Sequence, residues 1–198
     1  MSYFLLFLSA AFVNNIILVQ FLGGCPFLGV SRKLDTAIGM SGAVAFVMTT
    51  TTLITFLLQK VLDAFHLGFM QVITYILVIA VLVQMVEIIL KKVSPPLYQA
   101  LGVYIPLITT NCTILGVAML VIKQNLNLYQ SVVYAFSTAV GFGVALVLLA
   151  GAREQLSLSK VPRAMQGTPI ALIVAGMLAM AFMGFSGIDK TLAKLWGM

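Results

Sequence analysis

Charged residues are scarce in this chain. Only 8% of its 198 residues are Asp, Glu, Lys or Arg, whereas 62% are hydrophobic. Soluble domains carry roughly 25% charged residues, so this composition excludes an ordinary soluble protein. No polar stretch is long enough to fold by itself. The sequence therefore predicts an all-α polytopic membrane protein, with residues 1–198 forming a single membrane domain.

Histidine and cysteine are almost as rare. His66 is the only histidine, and Cys25 and Cys112 are the only cysteines. A metal site made by this chain must therefore rely mainly on thiolates. The chain also lacks a Gly-rich dinucleotide fingerprint after a strand, which excludes a dinucleotide-binding domain of that kind.

Six stretches are apolar over a length that suits a membrane-spanning helix, which needs about 20 residues. They are residues 4–30, 36–58, 69–90, 97–122, 132–151 and 168–187. The predicted loops between them are Arg32–Lys33, Lys60–His66, Lys91–Pro96, Lys123–Gln130 and Arg153–Arg163.

The net charge of +6 is informative about orientation. If the N-terminus lies outside, the cytoplasmic loops hold seven basic residues: Arg32, Lys33, Lys91, Lys92, Arg153, Lys160 and Arg163. The outer side then holds four: Lys60, Lys123, Lys190 and Lys194. Because cytoplasmic loops carry an excess of Lys and Arg, we expect both termini on the outer side. The basic excess is therefore not a sign of nucleic-acid binding.

One short motif occurs twice. Cys25–Val30 and Cys112–Val117 both read C-x-x-L-G-V. Three hydrophobic stretches separate one copy from the next, so the second copy is inverted relative to the first. This pattern predicts two inverted three-helix repeats, residues 1–93 and 94–190 approximately, with a site where they meet near the middle of the membrane.

The first and fourth stretches, which are corresponding members of the two repeats, contain residues that interrupt helices. Broken backbone at that depth must be buried in protein or face a cavity. We therefore expect helices 1 and 4 to be interrupted beside the cysteines. The interrupting residues are Asn14, Asn15, Gly23, Gly24 and Pro26 in the first stretch, and Pro106, Thr109, Thr110 and Asn111 in the fourth.

The residues alone leave three roles open for the cysteines. They could be buried free thiols that pack as small hydrophobes, a disulfide, or ligands of a metal centre. A [2Fe–2S] cluster and a tetrahedral zinc each take four ligands, so either would need a second chain.

A metal centre held by thiolates is an anion, and burying it requires an offset. Helices that begin just after the cysteines would supply one through their free N–H groups and positive dipole ends. We expect Gly24, Pro26, Thr110 and Asn111 to surround such a centre. Gly24 would allow close backbone approach, and Thr110 and Asn111 would offer side-chain donors.

Three segments resemble a known family. Residues 21–33, FLGGCPFLGVSRK, resemble the first cysteine motif of the RnfA/NqrE family. Residues 98–112, YQALGVYIPLITTNC, resemble the second, and residues 181–187, AFMGFSG, resemble its C-terminal signature. The resemblance spans essentially the whole chain, and both cysteine motifs are more similar to the RnfA branch.

This resemblance implies a non-autonomous membrane subunit of a ferredoxin:NAD+ oxidoreductase of the Rnf type, which couples electron transfer to Na+ or H+ movement. It implies that Cys25 and Cys112 are two of the four ligands of a [2Fe–2S] cluster shared with a homologous RnfE-like subunit. It also implies the B, C, D and G subunits of the Rnf complex as partners, contact with membrane lipid, and a bacterial inner-membrane location. The flavins and the ferredoxin and NAD sites would belong to other subunits.

Candidates for an ion path are few. Glu87 is the only carboxylate inside a predicted span, and Lys91 follows it at i+4, which favours an ordinary interfacial pair. Asn14 and Asn15 are the other candidates, and we expect coupling through alternating access around the cysteines. The alternative function is a small inverted-repeat secondary transporter without a cofactor, which would have the same topology but no iron.

Overall fold

The computed structural model is a bundle of helices. It describes residues 3–65, 68–93, 104–159 and 165–185, together with Gln99 and Pro162, and this described part contains no strand. Four helices are long and apolar enough to cross a membrane: Leu34–Ala64, Gly68–Ile89, Pro106–Lys123 and Leu128–Ser157. The prediction of an all-helical, multi-pass membrane protein is therefore confirmed.

Eight α-helices follow one another along the described residues. The first four are α1 (Tyr3–Leu8, continued by a π-helical turn Ser9–Val13), α2 (Gly24–Val30), α3 (Leu34–Ala64) and α4 (Gln71–Val93). The last four are α5 (Ile105–Thr109), α6 (Cys112–Lys123), α7 (Leu128–Ser157) and α8 (Thr168–Met183).

Several helix ends differ from the predicted boundaries. Helix α3 continues to Ala64 and α7 to Ser157, so Lys60 and Arg153, which were predicted in loops, lie in helices. A hydropathy pattern marks the part of a helix inside the hydrocarbon, and helices extend beyond it into the polar boundary. Helix α8 ends at Met183, before the predicted end at Gly187. Several predicted features lie outside the described residues: Ser94–Pro96, His66, Lys160, Arg163, Gly187 and the two chain termini, which were predicted on the outer side of the membrane.

Helices α3 and α7 form the centre of the bundle and share its largest contact. The inner face of α7 carries small residues at four-residue spacing, such as Ala135 and Ala139, which are almost fully buried. They belong to the same buried core cluster as larger side chains of α3, including Met40 and Met48. Small residues allow two helix backbones to approach closely, and this explains why these two helices form the scaffold.

Helix α7 also anchors the first interrupted segment. The carbonyl oxygen of Ala11 would lie only 2.5 Å from a Cβ at Gly141, so a glycine is needed at this crossing. The Asn15 side chain is fully buried, and its Nδ2 donates to the carbonyl oxygens of Gly141 at 2.7 Å and Ala11 at 3.2 Å. Its Oδ1 accepts a bond from the amide of Ile17 at 3.1 Å. Asn15 therefore holds the interrupted segment against α7.

Candidate functional site

Both copies of the repeated motif begin a helix after a break in the backbone. In the first half, no α-helix runs from Asn14 to Gly23, and Cys25 is the second residue of α2. In the second half, α5 ends at Thr109 and Cys112 is the first residue of α6. Each cysteine therefore lies in the first turn of its helix, where backbone N–H groups have no helical partner.

A hydrogen bond joins the two breaks. The amide nitrogen of Gly23 donates to Sγ of Cys112 at 3.0 Å. Cys25 follows Gly23 by two residues, so the Cα atoms of Gly23 and Cys25 are at most about 7 Å apart. The fold thus brings the two motifs together from opposite halves of the sequence. We call residues 23–25 and 111–113 the cysteine junction.

The two thiols differ in their surroundings. Both cysteines are free, and Cys25 is exposed whereas Cys112 is partly buried. The Cys112 sulfur accepts the bond from Gly23 and lies at the N-terminus of a helix of 12 residues. A donated hydrogen bond and the positive end of a helix dipole both stabilise negative charge on sulfur.

Gly23 makes the closest backbone approach at the junction. Its φ of +86° lies in the left-handed region, which favours glycine. A Cβ at this position would overlap Oγ1 of Thr113 and lie 3.2 Å from Cε2 of Phe142. A Cβ at Gly24 would meet nothing within 4 Å. Within this chain the close approach therefore occurs at Gly23, and the approach of Gly24 to a bound centre stays a prediction.

Asn111 is the N-cap residue of α6. Its Oδ1 accepts a bond from the backbone amide of Thr113 at 3.0 Å, and this bond fixes the orientation of the side-chain amide. The side chain is only 3% exposed, yet its Nδ2 has no partner among the described residues. The Oγ1 of Thr113, also buried, likewise has none there. An unpaired buried polar group costs about 1–3 kcal/mol, so two such groups beside one cysteine are notable.

Comparison with known proteins gives the family of this chain. A family model described as Rnf-Nqr subunit, membrane protein, matches residues 3–189. The chain belongs to the Rnf-Nqr family. The A subunit of the ion-translocating oxidoreductase complex from Syntrophotalea carbinolica is 58% identical over 185 residues, which cover 93% of this chain and 96% of the relative.

Two further relatives of this Rnf-Nqr chain have similar coverage. The A subunit of the Na(+)-translocating ferredoxin:NAD(+) oxidoreductase complex from Acetobacterium woodii is 53% identical over 95% of this chain and 98% of the relative. The A subunit of the ion-translocating oxidoreductase complex from Azoarcus is 49% identical, over 96% of this chain and 98% of the relative.

The other predicted neighbours of the junction occupy different positions in this Rnf-Nqr chain. Pro26 is buried in the first turn of α2, where its missing N–H costs no helical bond. Thr110 is exposed, and its Oγ1 donates to the carbonyl oxygen of Pro106 at 3.0 Å. Its hydroxyl group therefore donates within its own segment, and a role for Thr110 beside a bound centre stays a prediction.

The three ion-path candidates do not share one site. Asn14 is exposed and lines a cavity of about 220 Å³ together with Gln20, Gln124 and Tyr134. Asn15 is buried and fully bonded to backbone groups, as described above. Glu87 is partly buried in α4 and does not line the cavity at Asn14. The described residues thus show no continuous polar route through these three positions.

Sequence reasoning named Gly23 only as a residue that interrupts the first stretch, and it did not name Thr113. A pair of glycines before Cys25 was a usable signal, because one of them has to adopt the positive φ that lets the chain turn into α2. For Thr113, the signal was Asn111 as an N-cap, because the bond from the N2 amide brings Thr113 beside the asparagine. Its unpaired hydroxyl depends on packing against Gly23 and had no signal in the sequence.

The described residues of the Rnf-Nqr chain include no group of three or more His, Cys, Asp and Glu side chains that could hold a metal ion. The cysteine junction brings the chain's two cysteines to one place. A centre with four ligands that used only these two cysteines from this chain would need two further ligands.

Proposed function

We propose that this chain is a membrane subunit of an ion-translocating ferredoxin:NAD+ oxidoreductase complex, and that it passes electrons across the membrane through a [2Fe–2S] cluster held by Cys25 and Cys112. The observation that carries the proposal is the bond from Gly23 to Cys112, because it joins the two cysteine motifs at one place. The names of the relatives support membership in such a complex. The chain would act only as part of that assembly.

The residues at the junction fit a centre of this kind. Nδ2 of an asparagine can only donate, so the partner that Asn111 lacks must be an acceptor. A bound cation would leave that N–H unpaired, whereas anionic sulfur would accept it. The amide of Gly23 already donates to sulfur at the same place. Two thiols, one backbone donor and one buried side-chain donor therefore favour a sulfur-ligated anion.

When bound, a [2Fe–2S] cluster takes four thiolates and exchanges one electron. Cys25 and Cys112 would provide two thiolates, and Gly23, Asn111 and the N-terminus of α6 would stabilise their negative charge. Buried residues such as Phe142 and Ile114 would exclude water from the inner side. Cys25 is exposed in the isolated chain, which suits a site completed by a homologous, RnfE-like subunit.

We further infer the topology in which this junction works. Adding the interrupted segment from Tyr3 to Val30 and the shorter helix α8 to the four long apolar helices gives six crossings in two inverted repeats. Both termini would lie outside the bacterial inner membrane, and the B, C, D and G subunits would complete the complex. Ion movement, of Na+ or H+, would be coupled through alternating access around the junction.

The test is anaerobic purification of the intact complex from strains carrying the wild-type chain, Cys112→Ser or Cys25→Ser. Optical and EPR spectra are then recorded before and after reduction with dithionite. Met119→Leu is the matched control, because it removes a sulfur from an exposed position of the same helix as Cys112.

We expect a reducible [2Fe–2S] signal in the wild type and in Met119→Leu, and its loss in both cysteine variants. Each variant must retain the partner chains of the complex, as judged by gel electrophoresis. A complex without that signal would overturn the proposal. Ion transport that continues unchanged in both cysteine variants would favour the cofactor-free transporter instead.

A further inference from the structure

A cavity at one end of the bundle shares no lining residue with the cysteine junction. Helices α2 and α7 end here, and α3 and α8 begin here. The cavity has a volume of about 340 Å³ and is lined by Arg32 from the α2–α3 turn, Arg153 and Ser157 from α7, and Gly167 and Ile170 at the start of α8. The α2–α3 turn and the connection between α7 and α8, which are far apart in sequence, therefore both line the cavity.

Arg153 is the residue that holds this end of the bundle together. Its Nη1 donates to the carbonyl oxygen of Leu28 at 2.9 Å and to Oγ of Ser31 at 2.8 Å. These bonds pair a cation with the C-terminal end of α2, as the helix dipole favours. A guanidinium has five N–H donors in a planar fork, and the bonds to Leu28 and Ser31 use only those on Nη1. Arg153 is thus held in position by its Nη1 group, and the same residue lines the cavity.

The charged residues described at the cavity are all positive. Arg32 and Arg153 both line it, and none of the described residues that line it is acidic. Two guanidinium groups beside one cavity repel each other unless an anion lies between them. The cavity also has apolar walls, from Leu156 and Ile170. A site with two arginines and an adjoining apolar wall suits an anionic headgroup with a hydrocarbon chain attached.

We propose that this cavity binds a phosphate group, and that the phosphate belongs to the headgroup of an anionic membrane lipid. Arginine is suited to phosphate because its planar fork can donate two parallel bonds to phosphate oxygens. Basic pockets between membrane helices are a recurring mode of binding anionic lipids. A free phosphate would use the same arginines but would gain nothing from Leu156 and Ile170, so the two sources can be separated.

The chain offers two matched pairs of variants for the test. Arg32→Gln removes a charge from the cavity, and Lys33→Gln removes the neighbouring charge, which does not line it. Ser157→Asp places a carboxylate at the cavity wall, and Leu158→Asp adds the same charge at a residue that is 87% exposed and outside the wall. Arg153 is left unchanged because it also holds α2.

Each full-length variant is purified in detergent and titrated with phosphatidylglycerol, with diacylglycerol of the same acyl chains, or with inorganic phosphate. Bound molecules are counted by native mass spectrometry, and circular dichroism checks that each variant is folded. We expect phosphatidylglycerol to bind and diacylglycerol not to bind. Arg32→Gln should weaken lipid binding about fivefold, which is the effect of one basic residue near an anionic surface, and Ser157→Asp should weaken it at least as much.

Lys33→Gln and Leu158→Asp should bind phosphatidylglycerol like the wild type. Binding of inorganic phosphate that competes with the lipid and is weakened by Arg32→Gln would support the phosphate site but assign it to a soluble source. Equal binding by Arg32→Gln and Lys33→Gln, or equal binding of phosphatidylglycerol and diacylglycerol, would overturn the proposal.

Discussion

The two copies of C-x-x-L-G-V share four of their six residues but have different surroundings. The first copy begins a helix of seven residues that has no side-chain cap, and its cysteine is exposed. The second begins a helix of 12 residues capped by Asn111, and its partly buried cysteine accepts a bond from Gly23. The second half therefore holds its cysteine in a fixed position, whereas the thiol of the first half is exposed. Under the proposed function, the internal repeat would supply two ligands of the same kind with unequal roles, one held within this chain and one facing a partner.

Substitution of Gly23 should have the largest effect, because this residue joins the two halves. Gly23→Ala would force an alanine into the left-handed region and press its Cβ onto the side chain of Thr113. We expect a loss of about 2–5 kcal/mol in the free energy of unfolding. Gly24→Ala is the control, since its Cβ would meet nothing within 4 Å, and we expect a change within about 0.5 kcal/mol. Denaturation in detergent measures both, and equal losses would contradict the close approach at Gly23.

Asn15 tests how firmly the first half is anchored. Asn15→Leu keeps a similar volume but removes the bonds to Gly141, Ala11 and Ile17. Because these groups are buried, we expect a loss of about 1–3 kcal/mol in the free energy of unfolding. Asn14→Leu changes an exposed residue with one long bond to Ser9 at 3.5 Å, and it should be nearly neutral. If the two variants unfold alike, Asn15 is not an anchor.

A variant of Asn111 distinguishes two effects of this residue, which are the capping of helix α6 and the stabilisation of negative charge on sulfur. Asn111→Ala should cost about 1 kcal/mol through loss of the N-cap. Asn127→Ala makes the same change at the N-cap residue of α7, away from the junction. Redox titration followed by EPR should show a lower midpoint potential in Asn111→Ala only, because a donor to anionic sulfur favours the reduced state. A potential that does not change in Asn111→Ala would mean that this residue is merely a cap.

The smallest expected effect is a difference between the rates at which the two cysteines react with a thiol reagent. This difference does not require a change in the stability of the fold. In the isolated chain, N-ethylmaleimide should label Cys25 faster than Cys112, because Cys25 is exposed to the reagent whereas Cys112 is partly buried. Peptide mass spectrometry after timed quenching measures both rates in one sample. Labelling of Cys25 should slow markedly in the intact complex. Equal rates in the chain, or an unprotected Cys25 in the complex, would contradict the unequal roles.

The sequence was sufficient for the features that depend on local patterns. Apolar runs indicated the long helices, and glycine, proline and asparagine before the cysteines indicated where helices would start again. Contacts between distant residues were not predictable. The bonds from Asn15 to Gly141 and from Gly23 to Cys112 depend on how α7 and α6 pack against the first segment. The role of Thr110 stays a prediction, because a hydroxyl near a helix end can turn back to its own backbone and the sequence does not show which partner it will bond.

The central claim is that both thiols serve one centre, and counting iron in the intact complex tests it most directly. The wild-type complex is compared with complexes that carry Cys25→Ser or Cys112→Ser, each assayed for iron per complex and for the EPR signal of a [2Fe–2S] cluster. The account predicts that either substitution removes the same two irons and the same signal. If one substitution leaves both unchanged, the two cysteines do not share a cluster and the account is wrong.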